Sequence, residues 1–408
     1  MKKAAQAAGM LCFLVFLVSP FFLFRKAPDT ADTLNICMSL GEDEWKVMRE
    51  KVFPEFEKRE GVKIRAVNIE AGDTLRKIEA MHKADRMGID LLFIDNMDLA
   101  PYVEKRLVAR LDRFRNIIDS EVYPSLYEPL VFEGHLMFFP GRPNVPITYY
   151  NTDVFDGSRY CVPQNWDELL DTSRRLKEEY GIGKVAVHGT LDGNTTCHVF
   201  EFIKAAGGDI TTLDDTGCVK AFAFLQRLYP FLSPETKKAN WNTTNKFLSE
   251  ESLFLARNWP FGMNVIVKQN KKTNVLAYGT WAGPITAATV VGGDVIAITR
   301  RSKKHSLALR FAAHMMSAPV QKVFVTELGW PPVRSDVTGD VQEWQKPFFK
   351  AVTDALACGF NRPPVIGWSI VDKFVNLAFR DIVMEGMAVE STLTRYGREM
   401  REELAALQ

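Results

Sequence analysis

Residues 89–96 read Ile-Asp-Leu-Leu-Phe-Ile-Asp-Asn. Apart from Asp90, the run from Ile89 to Ile94 is apolar on both faces of an extended chain, the pattern of a strand covered on both sides. Asp95, Asn96 and Asp98 then stand at the carboxyl end of that strand, which is where open α/β sheets bind their ligands. Moving toward the N-terminus, Leu75, Ile78 and Met81 are spaced as in a helix, and Val62, Ile64 and Val67 suggest a strand. Before them, Trp45, Met48, Val52 and Phe56 recur every three or four residues, behind the acids Glu42, Asp43 and Glu44. Acids are favoured at the positive end of a helix dipole. Leu34, Ile36, Met38 and Leu40 alternate, as in a strand. The order is β-α-β-α-β, a parallel sheet wound with helices and therefore an α/β fold.

Toward the C-terminus the pattern breaks. Pro124, Pro129, Pro140, Pro143 and Pro146 fall close together, which predicts irregular chain ending in a passage between domains. A new segment starts at Ile147–Tyr150, and a helix is expected from Asn165 to Glu179, with Asn165 as cap and Glu168 three residues on. Further helices are expected around Val219, Phe222, Leu225 and Tyr229, around Leu307, Phe311 and Met315, and around Val371, Phe374, Ala378 and Ile382.

A chain of 408 residues, 47% of them hydrophobic, is too long for one compact core, so two domains are expected. With 51 Lys+Arg against 50 Asp+Glu the formal charge is +1, and no field draws the protein to nucleic acid. The six cysteines lie far apart without a C-x-x-C pair, which argues against a zinc knuckle or a thioredoxin-like site. Lys2 and Lys3 precede an apolar stretch, the order of an export signal. Counted from Ala7 to Phe24 the run is 18 residues long, about the minimum for spanning a bilayer. Residues 1–33 are therefore expected to be a signal peptide or an anchor, with residues 7–24 as the span.

Motifs for catalysis do not stand out. The sequence has no G-x-S-x-G elbow, no phosphate loop and no H-E-x-x-H helix. Cys197 and His198 are adjacent and point different ways from any regular backbone, and Asp214 with Asp215 beside Gly217 suits a solvated turn. No cofactor or metal is expected, and no enzymatic activity.

Several stretches together resemble a known family. They are Phe132-Glu-Gly-His-Leu-Met-Phe-Phe-Pro140, Val145-Pro-Ile-Thr-Tyr-Tyr-Asn-Thr-Asp-Val-Phe155 and Pro163-Gln-Asn-Trp-Asp-Glu-Leu-Leu170. Ala206-Gly-Gly-Asp-Ile210, Gly292-Gly-Asp-Val-Ile-Ala-Ile298 and Gly329-Trp-Pro331 follow in order. The pattern is similar to that of bacterial family 1 extracellular solute-binding proteins, the sugar-binding subunits of ABC importers, of which maltose-binding protein is a familiar member. The resemblance implies two α/β lobes of the type II periplasmic-binding fold, joined by a three-segment hinge. On that basis residues 34–145 and 292–330 are expected to form the N-lobe, and residues 146–291 and 331–408 the C-lobe. The crossings are expected near Gly141–Pro146, Gly292–Gly293 and Gly329–Pro332.

The same resemblance implies a function: a monomer on the outer face of the cytoplasmic membrane captures a small solute, a sugar above all, and passes it to an ABC permease. A sugar presents hydroxyls that need fixed partners and flat faces that suit an aromatic ring. Trp259, in Arg257-Asn-Trp-Pro-Phe-Gly262, matches by position a cleft tryptophan of the family, and Trp368 lies where the family supplies another platform. Asp95, Asn96 and Asp98 are the polar candidates, with Trp330, Glu42 and Asp43 beside them. Ile94 stands where maltose-binding relatives carry a tryptophan, which counts against maltodextrin itself. Two other readings stay open. Tyr149-Tyr150 could serve a ferric-binding protein of this architecture, and an exported glycosidase would need two carboxylates facing across a cleft.

Overall fold

The computed structural model describes residues 33–407 apart from 70, 97, 98, 364 and 366. Asp98 and the expected signal or anchor lie outside the described residues.

Three strands open the chain: β1 (Thr33–Met38), β2 (Lys63–Asn68) and β3 (Leu91–Asp95). β1 pairs with both of the others in parallel, the arrangement expected from the alternation and the doubly apolar run. The intervening rod, Glu42–Val47 continued by a π turn at Met48–Val52 and by Phe53–Glu60, buries Trp45, Met48, Val52 and Phe56. It stops at Gly61, whose φ of 66° is the left-handed cap that glycine takes most cheaply. A small hairpin, β4 (Val131–Phe132) and β5 (His135–Leu136), precedes β6 (Phe139–Asn144) and β7 (Ile147–Asn151). One hydrophobic core unites residues between Leu34 and Phe139 with others between Val295 and Val333.

A second sheet runs in the order β10-β7-β9-β8, from β8 (Val185–Ala186), β9 (Leu255–Asn258) and β10 (Val275–Tyr278). The helices Trp166–Tyr180, Gly193–Ala205, Thr216–Leu228, Trp368–Ala378 and Val389–Ala405 belong with it, and two further cores join residues from 145–290 to residues from 348–400. The cap predicted at Asn165 is present: its side chain accepts from the Glu168 amide at 3.0 Å.

The two bodies are joined through β11 (Thr289–Ile298), which pairs antiparallel with β3 and β6 and in parallel with β12 (Gly359–Asn361). Val290 is in the second body's core and Val295 in the first's, so this single strand passes from one to the other. Midway stands Gly293, with φ 143°. A Cβ there would lie 2.1 Å from the Arg142 carbonyl oxygen on β6, so only glycine lets the two crossing strands approach. The return passage comes later than the Gly329–Pro332 turn. Val333 is still in the first core, and buried Arg334 donates to the Met316 carbonyl at 3.1 Å and to Asp119 at 3.3 Å. These partners hold residues 331–334 to the first body, past the expected boundary at Trp330.

Buried Arg257, 1% exposed, fastens the passage between β6 and β7, and the start of β11, to the second body. It makes a bidentate pair with Glu201 at 2.9 Å and donates to the Pro146 carbonyl at 2.9 Å. Glu201 in turn accepts the Val290 amide at 3.0 Å. A guanidinium out of water needs this degree of satisfaction.

Candidate ligand-binding cleft

At the carboxyl end of β3, Asp95 is the register partner of Asp294 on β11. Two carboxylates opposite each other repel, and cations answer each of them. Arg142 on β6 forms ion pairs with Asp294 and, at 2.9 Å, with Glu44, and its guanidinium lies 4.1 Å from the centre of the Trp330 ring. Burial, with Asp95 and Glu44 nearby, holds the Asp294 carboxyl above its ordinary range despite Arg142. Arg362, just beyond β12, stands 3.5 Å from Asp95.

Arg362 has capacity to spare. One terminal nitrogen is 3.1 Å from Cys197 Sγ and the other, Nη1, is the one that faces Asp95 at 3.5 Å, while Nε is buried and lacks a hydrogen-bond partner among the described residues. Asn96 Oδ1 and Trp368 Nε1 are in the same condition, and the Arg362 guanidinium lies 5.9 Å from the Trp368 ring. Buried polar atoms are nearly always paired, so donors left over beside this carboxylate, with an unused acceptor on the residue that follows it in the chain, mark a place suited to polar atoms from elsewhere. Burial raises the Cys197 thiol to about 11 despite the adjacent cation, so it is a neutral wall and not a nucleophile.

Trp259, directly after β9, forms a second group. It packs against His188 and His198 at 5.3 and 5.8 Å between ring centres, and the two imidazoles stack at 3.9 Å. Burial pushes His188 down to about 3, and His198 well below the usual imidazole range. Both rings are neutral. The Tyr149 hydroxyl donates to the Trp259 and Pro260 carbonyls at 2.9 and 3.2 Å, while Tyr150 packs on Phe155 and Tyr278. The adjacent tyrosines face opposite ways.

The expected residues thus divide. Asp95 and Trp368 are gathered around Arg362, Asn96 follows Asp95 in the chain, and Trp259 packs on the histidine pair, whose His198 stands next to Cys197 on the helix Gly193–Ala205. Trp330 and Trp368 are each 2% exposed and offer no open ring face: Trp330 donates to Glu44 at 3.1 Å and stacks on Phe93 within the first core, and Trp368 packs on Phe200. Glu42 and Asp43 are exposed at the start of their helix, and Asp43 accepts from Gln269 of the other body at 2.8 Å.

Glu44, Arg142, Asp294 and Arg362 were not among the expected residues, nor was Trp241. That tryptophan is 46% exposed, lies 5.7 Å from Phe261, and receives the Asn258 amide on its carbonyl at 3.0 Å. Phe261 packs against the first core, which puts Trp241 at the border of the two bodies with one face open. Its setting in Asn240-Trp-Asn242 was the available signal, a large ring among polar neighbours.

Known structures share this architecture. A maltose-bound T. maritima MalE3 superposes with a TM-score of 0.81 at 17% identity, covering 91% of this chain and 99% of that one. A solute-binding protein from Thermotoga lettingae bound with α-D-tagatose gives 0.81 at 19%, covering 92% and 100%. One from Agrobacterium radiobacter K84 in complex with ribitol gives 0.75 at 17%, covering 91% and 98%. The fold is accordingly the two-lobed maltose-binding type. Residues 51–351 match the family profile of bacterial extracellular solute-binding proteins. The protein therefore belongs to the bacterial extracellular solute-binding proteins.

Proposed function

We propose that this chain captures a small carbohydrate or polyol between its two lobes and delivers it to the permease of an ABC importer from outside the cytoplasmic membrane. One observation carries the reading: the unused buried Nε of Arg362 and Nε1 of Trp368 beside Asp95, with the unused Oδ1 of Asn96 on the next residue of the chain. Donors and acceptors side by side suit hydroxyls, each of which gives and takes a hydrogen bond. The family supports solute capture, and the solved relatives named above hold maltose, tagatose and ribitol. The lobe division at residues 145, 291 and 330 belongs to the same proposal, with the last boundary moved beyond Arg334.

Such a protein gains stability from its ligand by mass action, about 2.7 kcal/mol at 100 times Kd. A thermal-shift panel of monosaccharides, disaccharides and polyols should contain compounds that raise Tm with a saturating dose dependence. Silence across the panel, with a shift from ferric ion or amino acids, would replace carbohydrate by that class. Hydrolysis of a chromogenic glycoside would replace binding by catalysis.

A further inference from the structure

Away from the cleft, at the opposite end of β11, the first lobe holds a concavity of about 540 Å³. Three segments build it. The Arg300 amide donates to the Leu107 carbonyl at 2.8 Å and the Ala109 amide to the Ile298 carbonyl at 2.9 Å, laying residues 107–109 along the strand end. The β4–β5 hairpin is tied in by the Leu111 amide on the Leu136 carbonyl at 2.7 Å. The helix His305–Met315 starts at the rim.

Charge is what distinguishes this hollow. Arg106, Arg110 and Arg300 line it together with His135 and His305, against one acid, Glu133. Among the described residues these three arginines make no ion pair or side-chain hydrogen bond, whereas their neighbours do: Arg115 pairs with Asp112, and Arg301 with Asp85. His135 is held by Asp112 at 2.9 Å. Like charges gathered in a concave wall focus a positive potential, and the first turn of the helix adds to it. Arg106 and Glu133 both occupy left-handed backbone, at φ 53° and 50°, a conformation that non-glycine residues adopt at a cost.

We propose that this hollow is a second binding site, for a compact anion of the phosphate type. Guanidinium forks match phosphate oxygens two at a time, and the volume lies within the range of small-ligand pockets. The chemistry is shared by a soluble phosphate compound and by the headgroup of an anionic lipid.

Titration calorimetry of the full chain with inorganic pyrophosphate at low salt tests the site itself. Saturable binding is expected, weakened about tenfold or more in Arg106→Gln/Arg300→Gln, strengthened a fewfold in Glu133→Gln, and declining as salt is raised. Co-sedimentation with phosphatidylglycerol or phosphatidylcholine vesicles separates the sources. The readout is the excess on phosphatidylglycerol and its loss in the double variant, so that attachment through the apolar N-terminus cancels. An excess that pyrophosphate displaces identifies a lipid headgroup; pyrophosphate binding without an excess identifies a soluble anion. If neither probe binds, or if binding ignores the arginine substitutions in a protein whose circular dichroism is unchanged, the proposal is wrong.

Discussion

The Arg142 guanidinium stacks 4.1 Å from the centre of the Trp330 ring while pairing with Asp294 and Glu44. One cation on β6 therefore holds β11, the first helix of the N-lobe and the end of the segment before the return passage. A charge withdrawn from water persists only with such partners, and removing one partner strands the others. Arg142→Met should cost roughly 3 kcal/mol in urea unfolding. Adding Asp294→Asn should recover much of the loss, since one stranded carboxylate is then gone. Additive losses would mean that the pair does not couple.

The stacked imidazoles of His188 and His198 give a pH dependence of defined sign. Both are buried and neutral, with His188 lowered to about 3 from 6.5. Asp192 favours its charged form, Arg257 opposes it, and desolvation outweighs both. Below pH 6.5 the unfolded chain takes up protons that the folded chain refuses, so stability is complete above that value and falls on acidification toward 3. The loss should be roughly 1 kcal/mol per pH unit per ring. Urea unfolding at pH 7 and pH 5 measures it, and His198→Phe should flatten the slope without changing the affinity of the cleft.

Four tryptophans separate by exposure into two kinds of outcome. Trp241, with an open face, should lose affinity on substitution by Ala, by about 1–3 kcal/mol for the sugar that gives the largest thermal shift, while the unliganded Tm stays put. Trp259, half-buried on the histidines, should lose some of each. Trp330 should lose stability alone, about 3–5 kcal/mol, and Trp368 should lose a similar stability together with affinity, because its Nε1 is one of the groups assigned to the solute. Arg362→Lys keeps the charge but removes the fork and should weaken the same sugar about tenfold or more. Calorimetry paired with unfolding curves checks each variant, and unchanged affinity in Arg362→Lys would remove that residue from the cleft.

How much of this was readable beforehand depended on the kind of signal. Leu34–Leu40 and Ile89–Ile94 announced strands because side-chain period follows backbone geometry, and Asn165 with Glu168 announced a cap because its partner is local. Arg142, Asp294, Glu44 and Arg362 meet partners 98 to 286 residues away, from Arg142 with Glu44 to Trp330 with Glu44, and a charge pair closed by tertiary structure leaves no periodic trace. Trp368 misled as a platform for a related reason. A tryptophan beside a turn looks the same in sequence whether its ring faces a cleft or a core. Arg334 shifted the return passage for want of any local mark of its bonds to Asp119 and Met316.

Gly293 provides a test of the crossing itself. Its φ of 143° is unfavourable for any side chain, and a Cβ would meet the Arg142 carbonyl at 2.1 Å, so Gly293→Ala must either separate β6 from β11 or twist the strand. Both responses disturb the register that sets Arg142 opposite Asp294. The substitution should therefore lower stability by roughly 2 kcal/mol or more and also alter the coupling between the lobes. A ligand that touches both lobes closes them through its differential affinity for the closed form. Small-angle scattering of the unsubstituted protein should show a more compact particle with saturating sugar, and Gly293→Ala should show a smaller change at equal saturation. By contrast, Gly61→Ala has open space around its Cβ and only the left-handed φ of 66° to contend with. It should cost stability while leaving the scattering change intact. Identical scattering responses in the two variants would show that closure does not turn on the β6–β11 crossing.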